Sequence, residues 1–284
     1  MKKYIKYILL LISLSLCAWS LLMLCQKIRD YDTGEDYYEF ISDIISEDVP
    51  LLPMVPDKSG KGGEAEEPCP DDERIPEMKK INREELIDIN SDYVAWIDFG
   101  EEVDIDYPIV QSPDDYYLKY NFEKKKNSNG CLLIDSKNDA TFHDLNTVVW
   151  GHNMKSKAMF GKLNEYRKEE YYKKHPYFWI YTEEESLLYK IISVHDVTIE
   201  TPALRLFKDT LNAEDFYEAV HAKKKYETES ITTPYKTIVT LATCDGNYAT
   251  RFLVHGQLVW KKSLKKRPEQ LQNKEGCKLI SPCG

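Results

Sequence analysis

At 284 residues, 42% of them hydrophobic and 30% charged, the chain has the size and composition of one large globular domain with accessory segments. Its 48 acidic and 38 basic side chains give a net charge of -10. That balance excludes nucleic acid as the main partner, because phosphate binding needs a clustered excess of Lys and Arg.

Lys2, Lys3 and Lys6 precede Tyr7 to Cys25, a run of 19 residues without a charge. As a helix rising about 1.5 Å per residue, it spans roughly the 30 Å hydrocarbon core of a bilayer. No small-residue cleavage site follows it. Cys17 and Cys25 sit after leucines, where lipoprotein processing needs a small residue. Residues 1–29 therefore read as an uncleaved signal anchor, transmembrane over about 7–25, with the body of the protein outside the cell; the alternative, a cleaved signal peptide, changes the tethering but not the compartment.

Residues 30–48 carry an amphipathic pattern (Tyr37, Tyr38, Phe40, Ile41, Ile44, Ile45) that predicts a short helix. The stretch from Pro50 to Pro76 is rich in Pro, Gly and acids and too poor in apolar residues to bury a core. Together, 30–76 reads as an extracellular stalk. Residues 77–260 read as the folded domain and 261–284 as a basic, polar tail.

Within the domain, Asn82–Ile89 predicts a first helix. Eight β-like runs follow: Val94–Asp98, Ile105–Gln111, Cys131–Asp135, Thr147–Gly151, Phe178–Thr182, Leu187–Thr198, Thr237–Cys244 and Arg251–Trp260. Helical patterns intervene at Ala158–Lys174 and Asn212–Tyr226. Short strands separated by turn chemistry predict a mainly β fold, a closed antiparallel barrel rather than a parallel α/β sheet.

Seven cysteines in an exported chain raise the question of disulfides, but two lie in the anchor and the rest show no framework spacing. Cys277 and Cys283 can pair in the tail. Cys244 ends a β run that breaks at Asp245-Gly246-Asn247, a strong turn signal, so it occupies a strand end at an open rim. The chain returns at Arg251. On an antiparallel pair, directly opposed Cβ atoms lie about 5 Å apart. A guanidinium there favours the thiolate and can bind an oxyanion on an attacked carbonyl.

A base for that thiol is sought among six histidines. His152 follows the apolar strand Thr147-Val-Val-Trp150 and turns out of it, while His255 lies within the returning strand and is its main competitor. Asp139, His143 and Asp144 make a superficially metal-like cluster, but its spacing lacks a tight ligand set and reads as a solvated loop.

Two stretches carry a family resemblance. Thr240-Leu-Ala-Thr-Cys244, followed by Arg251, resembles the signature of sortases, and Asn146-Thr-Val-Val-Trp-Gly-His-Asn-Met154 with Met159-Phe-Gly161 resembles the class B branch. Trp96-Ile97, Ile105–Gln111 and Lys174-His-Pro-Tyr-Phe178 are also similar, so the likeness covers roughly residues 80 to 260. It implies an eight-stranded sortase-type β-barrel with N-terminal helices and a long helix between the sixth and seventh strands. It further implies Cys244 as nucleophile, His152 as general acid/base and Arg251 as the third essential residue; beside them, Thr243 and Asn153 are candidate substrate contacts. No cofactor and no metal are implied. The implied reaction cleaves a C-terminal sorting signal between Thr and Gly and transfers the acyl group to a cell-wall peptide amine. The implied partners are surface proteins bearing that signal and the amine acceptor; the membrane is engaged through the N-terminal helix. The rival readings are a pilin-polymerising sortase, a secreted cysteine protease acting as a hydrolase, and a tethered binding module in which Cys244 is structural. The tail through Cys277 and Cys283 has no counterpart in the family pattern.

Overall fold

The computed structural model describes residues 2–46, 68–204, 213–222, 224–229, 236–244 and 249–264. The expected turn at 245–247 and the tail beyond 264, with Cys277 and Cys283, lie outside the described residues.

Helix α1 spans Lys2–Ser46 without a break. Its apolar part, Tyr4–Arg29, is long enough to cross a membrane, and none of that stretch is buried against the protein. The segment read as stalk thus begins as a continuation of the same helix. Its amphipathic end docks on the domain through Gly34, Tyr38, Ile41 and Ser42, which recur at helical spacing on one face. Phe40, off that face, is exposed. Glycine inside a helix costs about 1 kcal/mol relative to alanine. Here it permits close approach, since a Cβ on Gly34 would meet the Asn129 amide and come within 2.8 Å of Asn127 Oδ1.

Helix α2 (Arg83–Ile89) starts where expected because Asn82 caps it. The Asn82 side-chain oxygen accepts from Glu85 N at 3.4 Å, and its amide donates back to Glu85 Oε2 at 2.9 Å.

The eight strands are β1 (Tyr93–Asp98), β2 (Asp106–Gln111), β3 (Leu132–Ile134), β4 (Asn146–Gly151), β5 (Tyr177–Thr182), β6 (Glu185–Thr198), β7 (Ile238–Cys244) and β8 (Thr250–Ser263). They close in the order β1-β2-β3-β4-β7-β8-β6-β5. Every strand contributes to one core, for instance Ile97, Val110, Ile134, Val149, Ile180, Tyr189, Leu241 and Val254. Closure leaves no unpaired edge.

The barrel corrects one expectation. It is mixed, because β2 pairs parallel with β3 and β4 pairs parallel with β7. Parallel neighbours need a long connection rather than a tight turn. Here the long segment 112–131 and the whole of β5 and β6 supply those connections.

The two helical patterns are also shorter or more broken than predicted. Ala158–Lys174 resolves into a 3-10 helix, Phe160–Arg167, and helix α3, Glu169–Lys174, separated by extended Lys168. Between β6 and β7, helix α4 covers Ala213–Ala222 and stops short of Tyr226. The chain leaves the helix because Lys225 N donates to Val194 O at 2.9 Å and the Thr228 hydroxyl donates to Ile192 O. Phe216 and Val220, one turn apart, seat α4 on Ile192 and Ile238.

Candidate active site

The strand directions bring three chain ends to one rim: the end of β4, the end of β7 and the start of β8. In the parallel β4–β7 pair, Gly151 is the partner of Thr243, so His152 and Cys244 are the next residues on adjacent strands. In the antiparallel β7–β8 pair, Cys244 is the partner of Arg251. Residues 146–152 and 238–251 are far apart in sequence, yet the register places them side by side. Beneath them, Val148, Ala242, Leu253 and Val197 pack with Ala203, which fixes the four strands relative to one another.

The His152 ring is held from behind. Its Nε2 lies 2.8 Å from Leu118 O, and a carbonyl can only accept, so Nε2 carries the proton and donates. In the neutral ring, Nδ1 is then the basic nitrogen. Gly130, at φ +60°, flanks the imidazole; a Cβ there would be 2.6 Å from Tyr117 O and 3.2 Å from His152 Cδ2. Arg251 is half-buried and donates from Nη1 to Thr250 O at 2.7 Å.

Thr243 is buried, and its hydroxyl finds no hydrogen-bond partner among the described residues. Asn153 is half-buried, accepts from Asn164 Nδ2 at 2.7 Å, and bridges to Met159 across the loop that follows His152.

The competing residues are accounted for elsewhere. His255 is the partner of Thr240, four positions below Cys244 on β7, which at about 3.4 Å per residue is roughly 14 Å from the rim. It is fully buried, with Nδ1 2.8 Å from Thr240 Oγ1 and Nε2 3.2 Å from His195 Nε2. Burial, then the neighbouring His195 and His221, hold its pKa well below the usual histidine value. A base there stays neutral and out of reach of the rim.

Cys131 is also buried, its Sγ 3.6 Å from Pro108 O, and burial pushes its thiol up to about 12. It is therefore an inert core residue rather than a rival nucleophile. Asp139, His143 and Asp144 do not converge. His143 pairs with Glu185 at 2.7 Å, Asp144 accepts from Asn138 Nδ2 and Asp139 N, and Asp139 accepts from Thr141.

Two groups at the site were not legible in the sequence, the Leu118 carbonyl and Gly130. A backbone carbonyl leaves no residue signature, and an Asn-Gly pair such as Asn129-Gly130 specifies at most a local turn, not the distant ring beside it.

A mixed, closed eight-stranded barrel with cysteine, histidine and arginine positions gathered at one rim is the arrangement of a cysteine acyltransferase. The Sortase domain family matches residues 101–259, more than half of the chain. A sortase B of Listeria monocytogenes is 33% identical over 187 residues, covering 63% of this chain and 76% of the relative. The crystal structure of sortase B from Bacillus anthracis superposes with a TM-score of 0.65 at 28% identity, over 82% of this chain and 99% of that one. Sortase B of Clostridium perfringens does so at 0.58 and 29%, over 63% and 100%. The chain belongs to the sortase family of cysteine transpeptidases, in its class B branch.

Proposed function

We propose that this chain anchors exported proteins from the outer side of a cell membrane, held there by a single-pass N-terminal helix, and that Cys244, His152 and Arg251 carry the reaction. The observation that supports the three roles is the double register: Gly151 opposite Thr243, and Cys244 opposite Arg251.

The Cys244 sulfur, its proton passed to Nδ1 of His152, attacks the carbonyl carbon of threonine in the Thr-Gly bond of a C-terminal sorting signal. Arg251 stabilises the oxyanion that forms. As the C–N bond breaks, His152 gives a proton to the glycine nitrogen, leaving a thioester on Cys244. A cell-wall peptide amine then attacks that thioester and His152 takes its proton. The new amide forms as the thiolate leaves. The donated Nε2–H to Leu118 makes Nδ1 the nitrogen that handles the proton. Asn153, adjacent to the histidine, contacts the bound signal, whereas Thr243 is buried and supports the strand end that carries the nucleophile rather than touching the signal.

The test is a peptide-library screen with the full chain in detergent, read by mass spectrometry with and without an amine acceptor. An amine adduct at Thr, lost in Cys244→Ala, is the expected product. Hydrolysed peptide alone would instead mark a protease, and processing by Cys244→Ala would refute the nucleophile.

A further inference from the structure

We infer that Tyr38, on the helix that also forms the membrane anchor, is a positioning residue for His152. The inference rests on the reading of His152 as the acid/base and adds a residue outside the barrel to the machinery that aims it.

The Tyr38 hydroxyl makes two buried hydrogen bonds to one segment of the domain. It donates to Gly130 O at 2.6 Å and accepts from Phe122 N at 3.2 Å. Those two groups lie on the two limbs of the segment Tyr117–Cys131, whose neck is closed by Cys131 N donating to Tyr117 O at 2.9 Å. The neck is what touches the imidazole. Leu118 O accepts from His152 Nε2, and Gly130 lies against the ring with no room for a side chain. A hydroxyl that fixes Gly130 therefore fixes both surfaces that orient His152.

The ring and the hydroxyl of Tyr38 have separable jobs. The ring packs edge-on against Tyr107 of β2 at 5.4 Å, holding α1 on the barrel, and against its own helix neighbour Tyr37 at 5.2 Å. The hydroxyl's contacts, the two bonds to backbone groups and one to the Cys131 thiol, all go to the segment behind His152. One helical turn further on, Ser42 donates to Asp106 on β2, a docking contact that does not lead to the site. Loss of the Tyr38 hydroxyl should loosen the imidazole without undocking the helix, whereas loss of the Ser42 hydroxyl should weaken docking without touching the imidazole.

The experiment uses the full chain in detergent micelles, a Thr-Gly peptide selected from the library with an amine acceptor, and NMR of ring-labelled histidine. The His152 signal is assigned by its loss in His152→Ala. For Tyr38→Phe, kcat is expected to fall about tenfold or more, since a displacement near 1 Å can cost on the order of 100-fold. KM should stay unchanged, the His152 titration midpoint should move, and the melting temperature should stay close to wild type. Ser42→Ala should keep wild-type kcat and titration. Wild-type turnover and titration in Tyr38→Phe would overturn the inference, as would an equal loss of kcat in Ser42→Ala. Wild-type turnover by His152→Ala would overturn the acid/base reading and this inference with it. An inactive His152→Ala beside a fully active Tyr38→Phe would overturn the inference alone.

Discussion

Gly151 and Thr243 are partners in a parallel strand pair, so the residues that follow them, His152 and Cys244, leave the sheet at the same height. Neither strand could place its residue without the other. The relationship is sensitive to anything that shifts β4 along or away from β7.

Gly151→Ala tests that sensitivity. An added Cβ would lie 2.5 Å from Leu132 Cδ2 and 2.6 Å from Phe160 Cδ2. Overpacking of this kind costs about 1–3 kcal/mol. Thermal melts should show the loss, and acyl-enzyme formation should fall further than stability alone explains. An active, fully stable variant would mean that the end of β4 tolerates displacement.

Arg251 is the register partner of Cys244 across β7–β8. If it binds the oxyanion, Arg251→Ala should lose on the order of 2.7–4 kcal/mol of transition-state stabilisation. The loss should fall on kcat, with KM little changed. A raised KM at constant kcat would reassign the guanidinium to ground-state binding.

Thr240 links two strands through a buried polar chain. It donates to Asn146 Oδ1 at 2.7 Å or shares its proton with His255 Nδ1 at 2.8 Å. Thr240→Val removes the link and leaves buried partners unsatisfied, a cost of about 1–3 kcal/mol. Urea unfolding should report that cost. Below the melting range the variant should keep its catalytic pH profile, because Thr240 lies four positions from the rim.

Acid should destabilise the fold through His255. Burial depresses its folded pKa, assisted by His195 and His221; Thr240 also faces it, and the Phe216 ring of α4 covers it. The unfolded histidine titrates near about 6.5. Below that value the unfolded chain binds a proton that the folded chain refuses, so stability falls as pH drops and is level above it as far as this group is concerned. Urea unfolding at neutral pH and at about pH 5 should show the loss, and His255→Gln should shrink the difference between them. An unchanged difference would place the acid lability in another group.

The local parts of this structure were readable in the sequence for physical reasons. Each strand is a β-branched or aromatic run cut by turn residues, so Thr237–Cys244 and Phe178–Thr182 were placed within a residue or so of β7 and β5. Cys244, His152 and Arg251 stood out because they sit where such runs stop or start. What was hidden depends on distant pairing. The parallel partnership of β4 with β7 has no local signature, and an antiparallel barrel was the natural reading of the turns. Nor did the pattern at 30–48 reveal that its first part, to Ser46, continues the apolar N-terminal helix, or that Tyr38 reaches a carbonyl 92 positions away. The predicted helix through Tyr226 failed because backbone and hydroxyl groups after Ala222 found partners on β6.

The same parallel pairing bears on how the protein is born. Asn146 and Thr240, bonded across it, are separated by 94 positions in the chain. Closing a loop of that length costs conformational entropy, which the β5–β6 hairpin inside it reduces by shortening the free chain. If Cys244, His152 and Arg251 act together as proposed, their joint chemistry exists only once β4 has paired with β7 and β7 with β8.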